Sequence, residues 1–178
     1  MHDEISAMTS NPEKTRHAFG MKFKIDPERL ALPDQAGLLD LWRQLASDGI
    51  PKRYALKPTM LAPYATKITI YEVIPARAGR DRDYRFRYVG HDLEAVYGDL
   101  TGKLHSEIPP DAWTKRSWAI SDLVVETGKP VSGHAPSSSV VSKNFLRSRL
   151  LYLPLTDDGI TISALLGTAH LNARPMER

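Results

Sequence analysis

Apolar positions change their period several times along this chain. In AGLLDLWRQLASDGIP, Leu38, Leu41, Trp42 and Leu45 recur every three or four residues, which predicts an amphipathic helix over 36–47. Gly49 and Pro51 close it. The period then drops to two. TKITIYEVIPA is rich in β-branched residues and predicts a strand. In YRFRYVG, Tyr84, Phe86 and Tyr88 share one face, while Arg85 and Arg87 share the other. The charged turn RAGRDRD makes the two an antiparallel hairpin. HDLEAVYG predicts a short helix ended by Gly98. The longest helix is expected in PPDAWTKRSWAISDLVVETG, with Trp113, Ile120, Val124 and Thr127 along one side, Gly128 just past its end and Pro130 blocking continuation. Three strands follow, in PVSGHAPSSSVV, NFLRSRLLYLPL and GITISALLGTAHL, and TDDG forms the turn between the last two. Residues 1 to about 20 are polar without period and read as a disordered tail; MKFKIDPERLALPDQ, with two prolines, reads as an extended arm. The expected organisation is a flexible or extended arm over 1–35 and one α+β domain over 36–178.

One strand carries more information than the others. In NFLRSRLLYLPL, Leu151, Leu153 and Leu155 alternate with Leu150, Tyr152 and Pro154, so both faces are apolar toward its end and need covers. The later helices supply one cover and the 36–47 helix the other, from the same chain or from a second subunit. Leu38, Leu41, Trp42 and Leu45 are therefore the candidate interface residues, and a homodimer is expected. Earlier in the strand, Phe145, Arg147 and Arg149 share one face, and Leu146, Ser148, Leu150 and Tyr152 the other. The uncharged set suits the buried side, because an unpaired arginine there is costly.

Composition narrows the chemistry. Lys and Arg number 24 against 21 Asp and Glu, a net charge of +3 with no long basic run, so nucleic acid is not an expected partner. No apolar stretch approaches a membrane span, and the acidic N-terminus is not a secretory signal; a cytoplasmic location is the default expectation. The absence of cysteine excludes disulfides, cysteine–metal sites and a thiol nucleophile. The six histidines are dispersed and form no helical metal pair. GDLTGKL mimics a phosphate loop but has the wrong glycine spacing and reads as a turn. His134 near Ser137, Ser138 and Ser139 is the one hydrolase-like grouping, without a nucleophile elbow to expose a serine.

Several segments taken together resemble the PAS family of sensory domains, in particular a bacterial single-domain PAS family with a preceding N-terminal helix. FRYVGHDLEAVYGDLTGK is similar to the end of the second PAS strand, its short helix and the Leu-x-Gly turn. LYLPLTDDG resembles the fourth strand and its turn, ALLGTAHL the last strand with its central glycine, and GIPKRYALKP the subfamily's linker. The resemblance spans about residues 36–173. It implies a five-stranded antiparallel sheet with helices on one face, a cavity between them, and the amphipathic helix outside. It further implies a stand-alone sensory or regulatory module that binds a small ligand or a signalling partner protein. A haem ligand would be sought in the long helix, which has no histidine, leaving only His105 just before it; flavin photochemistry needs a cysteine. No cofactor is therefore expected. Tyr97 of the short helix, Trp118 of the long one, and Ser148 and Tyr152 of the strand are the candidate ligand-binding residues. The alternative is a small hydrolase or isomerase using the same cavity.

Overall fold

The computed structural model describes residues 14–135 and 146–173. Seven strands form one antiparallel sheet: β1 (Thr15–Ala18), β2 (Met21–Ile25), β3 (Ile68–Ile74), β4 (Asp83–Val89), β5 (Val131–Ala135), β6 (Leu146–Thr156) and β7 (Ile162–Ala173). Their order across the sheet is β1-β2-β5-β6-β7-β3-β4. Four α-helices accompany them: α1 (Pro33–Ala46), α2 (Pro58–Leu61), α3 (His91–Tyr97) and α4 (Ala112–Thr127).

The sheet has two strands more than the sequence suggested, and both come from the stretch read as tail and arm. MKFKI alternates perfectly: Met21, Phe23 and Ile25 are buried while Lys22 and Lys24 are exposed. That alternation lets β2 add to the edge of β5, pairing Phe23 with Gly133 and Lys24 with Ser132. Phe19 and Gly20, both at positive φ, make the tight turn back to β1.

Two cores lie on opposite faces of the sheet. On the outer face, α1 buries Leu38, Leu39 and Trp42 against Leu151, Leu153, Leu155 and Leu166. The Trp42 indole donates to the Pro154 carbonyl at 2.7 Å, and the Gln35 amide donates to the Arg149 carbonyl at 3.0 Å. The buried stripe is thus 35-38-39-42; Leu41 and Leu45, two of the expected interface residues, are only half-buried. Leu38 and Trp42, the other two, cover the chain's own sheet, so the outer cover comes from α1 of the same chain.

On the inner face, α4 buries Ile120 and Val124 against a core that includes Phe23, Tyr84, Phe86, Val131 and Leu165. Asp111 caps the helix start and Gly128, in the left-handed conformation, ends it. The predicted sharing of one face by Tyr84, Phe86 and Tyr88 fails at its last member. A bulge opposite Ile70 and Tyr71 pairs Tyr71 with Phe86 but Ile70 with Tyr88, leaving Arg87 as the extra residue. The face therefore flips, Val89 turns inward, and Tyr88 lies 40% exposed. Gly90 follows directly, and a Cβ there would sit 2.4 Å from the Thr66 backbone. Only glycine allows this approach, which seats α3 against the 62–67 turn.

Candidate functional site

A cavity of about 40 Å³ lies between the inner face of the sheet and helices α3 and α4. Most of its wall is apolar, from Met21 of β2, Phe86 and Val89 of β4, Leu93 of α3, Leu100, Leu150 of β6 and Ala169 of β7. Six deeply buried polar side chains interrupt that wall: Thr69, Tyr71, Arg116, Ser117, Ser148 and Tyr152. All six are at least nine-tenths buried.

Three of the hydroxyls bond to one another. Tyr152 and Tyr71 share a hydrogen bond of 2.7 Å, and Ser117 lies 3.1 Å from the Tyr152 hydroxyl and 3.4 Å from that of Tyr71. Burial raises the pKa of both tyrosines, so the pair stays protonated. The strand pairing explains the placement. Tyr152 faces Gly167 directly across β6 and β7, and a Cβ on residue 167 would stand 2.9 Å from the Tyr152 ring. The missing side chain gives the ring its seat, and the ring then reaches across β7 toward Tyr71 on β3, 5.4 Å away between centroids.

Ser148 differs from these three. It is 4% exposed and lines the cavity two residues before Leu150, yet its Oγ has no hydrogen-bond partner. A buried hydroxyl left without one costs about 1–3 kcal/mol, so the position asks for a partner that the protein itself does not supply. Arg116 enters the wall from α4. Its Nε donates to the Phe19 carbonyl at 2.6 Å, tying the β1–β2 turn to α4 and holding Met21 over the cavity. Burial lowers the pKa of the guanidinium from its ordinary value without neutralising it. Tyr97 completes the wall from α3, with its ring 4.7 Å from that of Trp113.

Of the four residues the sequence singled out, Tyr97, Ser148 and Tyr152 share this cavity. Trp118 does not. One residue beyond Ser117 on α4, it is turned about 100° around the helix axis. It meets Tyr84 at 5.6 Å and His105 at 4.9 Å, both edge-on. His105 is 3% exposed, sandwiched between Trp118 and Phe86, and burial lowers its pKa to about 4, so it is a neutral core histidine outside the cavity wall.

Comparison with family models, curated proteins and solved structures finds no match to this chain. The cavity lining among the described residues holds no carboxylate and no histidine, hence no general base for Ser117 or Ser148. His134 lies on the exposed outer side of β5, away from the cavity, and Ser137, Ser138 and Ser139 lie outside the described residues. No cluster of three or more metal-binding side chains occurs among the described residues, and no described helix is long and apolar enough to cross a membrane. What the arrangement can do is hold a small polar molecule by hydrogen bonds inside an apolar shell.

Tyr71, Arg116, Ser117 and Thr69 belong to the site but were not singled out in the sequence. Tyr71 and Thr69 carried a usable signal, since they alternate in TKITIYEVIPA on the side that the bulge later keeps inward. Ser117 lies three and four residues before the buried pair Ile120 and Ser121, so the helical period marks its face. Arg116 carried no such signal, because an arginine at that spacing reads as solvated.

Proposed function

We propose that this chain is a PAS-like sensory or regulatory module that takes up a small polar molecule between its sheet and helices α3 and α4, and signals by contact with a partner protein. The observation that carries the reading is Ser148: a buried hydroxyl without a protein partner, facing a cavity whose other polar groups are already arranged around the same space. The five strands β5-β6-β7-β3-β4 support it as a contiguous antiparallel block, with α3 and α4 across one face and α1 across the other. The volume sets the ligand class. At about 40 Å³ the space suits a molecule of a few heavy atoms, far below the roughly 300–1,000 Å³ of ordinary drug-sized sites. A haem or flavin ring would require α3 and α4 to move apart. The ligand's own polar group pairs with Ser148 Oγ, and Tyr152, Tyr71 and Ser117 act as one preset donor–acceptor unit beside it.

Catalysis is the weaker reading, because the lining offers hydroxyls and a guanidinium but no base. The discriminating experiment is thermal-shift screening of the full chain against small metabolites of few heavy atoms, with Ser148→Val in parallel. Valine suits a strand and fills the hydroxyl's place with carbon. At least one compound should raise the melting temperature of the parent and leave the variant unmoved. No shift with any compound, or equal shifts in both proteins, overturns the reading.

A further inference from the structure

The outer face of the sheet divides into two halves. The β6–β7–β3 half is apolar and lies under α1. The other half, β1–β2–β5 with the adjoining Arg149 and His170 segments of β6 and β7, is basic. Residues paired directly across antiparallel strands point the same way, and the register runs His17 to Lys22, Lys22 to His134, His134 to Arg149, and Arg149 to His170. Five strands thus present one row of cationic or titratable side chains. Lys24 adds a second cation two residues from Lys22, and Ser132 lies opposite it. Lys22, Lys24 and Arg149 put three full positive charges within two strand spacings of one another, a local excess that a bound anion offsets. Among the described residues no carboxylate forms an ion pair with Lys22, Lys24 or Arg149; the five pairs present involve Arg53, Lys67, Arg82, Arg85 and Arg87.

Beside this row is a groove of about 180 Å³, floored by Lys22, Lys24, Ser132, His134 and Arg149 and bounded by Leu30 and Ala31 of the arm and Gln35 of α1. Lys22 and Arg149 are two strand spacings apart, about 10 Å, a gap that two long side chains close from both sides. We propose that this groove binds a polyphosphorylated small molecule, its phosphate groups held by Lys22, Lys24 and Arg149 with Ser132 as an additional donor. Bidentate arginine and point-charge lysines are the usual phosphate partners. The boundary formed by Leu30, Ala31 and Gln35 decides against a nucleic-acid duplex, which needs an open surface, since the groove is walled along one side. The proposal is independent of the inner cavity, which lies on the opposite face of the same sheet.

The test is calorimetric titration of the full chain with inorganic tripolyphosphate at low and high salt. Variants Lys22→Gln and Arg149→Gln are titrated in parallel, with Lys52→Gln as a control far from the groove, where Lys52 sits over the Tyr54 ring. The parent should bind, and affinity should fall as salt rises. Each groove variant should lose about tenfold, the loss of one charge-assisted hydrogen bond, with an unchanged melting temperature. Lys52→Gln should bind like the parent. No binding of tripolyphosphate, or an equal loss in the control, overturns the proposal. Tighter binding of a single-stranded oligonucleotide than of tripolyphosphate also overturns it and assigns the face to nucleic acid.

Discussion

Removing the Tyr152 hydroxyl tests the inner site at its centre. In Tyr152→Phe the ring stays on Gly167 and the shape is kept, but the bonds to Tyr71 at 2.7 Å and to Ser117 at 3.1 Å are lost. Tyr71 and Ser117 remain 3.4 Å apart, too long for a good hydroxyl–hydroxyl bond, so one buried donor is left poorly satisfied. Each lost bond is worth about 1 kcal/mol net, and the relief of no longer burying the Tyr152 oxygen offsets part of it. The variant should therefore be less stable by about 1–2 kcal/mol, a drop of roughly 3–6 °C in melting temperature for a chain of this size. Urea unfolding should show a lower midpoint with an unchanged slope. Tyr71→Phe should cost a similar amount. The double variant should cost less than the two singles together, because replacing both partners removes the unsatisfied group as well as the bond. Additive losses, or no loss in either single variant, would mean that the two hydroxyls do not depend on each other, and the site as described would be wrong.

Three further outcomes follow from other parts of the structure. Gly167→Ala places a methyl 2.9 Å from the Tyr152 ring and should destabilise by about 1–3 kcal/mol, measured by thermal unfolding, and the same substitution should cost less in a Tyr152→Ala background than in the parent. Trp42→Phe keeps most of the apolar contact of α1 but leaves the buried Pro154 carbonyl without its 2.7 Å partner, and should cost about 1–2 kcal/mol in urea. His105 sets an acid limb. Desolvation lowers its folded pKa from 6.5 to about 4 against the opposing pull of Asp83 and Asp122, so its contribution is complete above pH 6.5 and is lost as the pH falls toward 4. The loss amounts to about 3 kcal/mol over that window, and His105→Phe should flatten that part of the stability–pH profile measured in urea. A parent profile flat between pH 7 and 4 would contradict the burial of a neutral imidazole.

Much of this fold was legible in the sequence, and the misses have particular causes. The 110–127 helix and the short 91–97 helix carried strong periods and ended at glycines whose backbone geometry requires them, and the strands around Leu150 and Leu165 carried clear periods of their own. The inward set Ser148–Leu150–Tyr152 was readable because a charged residue interrupts the other face at Arg149. The β1–β2 hairpin was missed because its clearest strand is five residues long and borders a proline-rich arm, so alternation over MKFKI was outweighed by composition. Tyr88 was misplaced because a bulge leaves no mark on an unbroken alternation. Trp118 was misplaced because a large aromatic beside a cavity helix is easily assigned to the cavity, whereas a single residue's rotation sends it to His105. The Tyr71–Tyr152–Ser117 unit joins three elements distant in sequence, and no local pattern announces such a meeting.

Native mass spectrometry of the freshly purified full chain, alongside Ser148→Val prepared identically, reports whether the inner cavity holds a small molecule. A discrete adduct of small mass is expected on the parent, released by collisional activation and absent from the variant, with both proteins equally folded. Each protein appearing only at its own bare sequence mass would contradict it, and would make the buried hydroxyls a structural feature of the core.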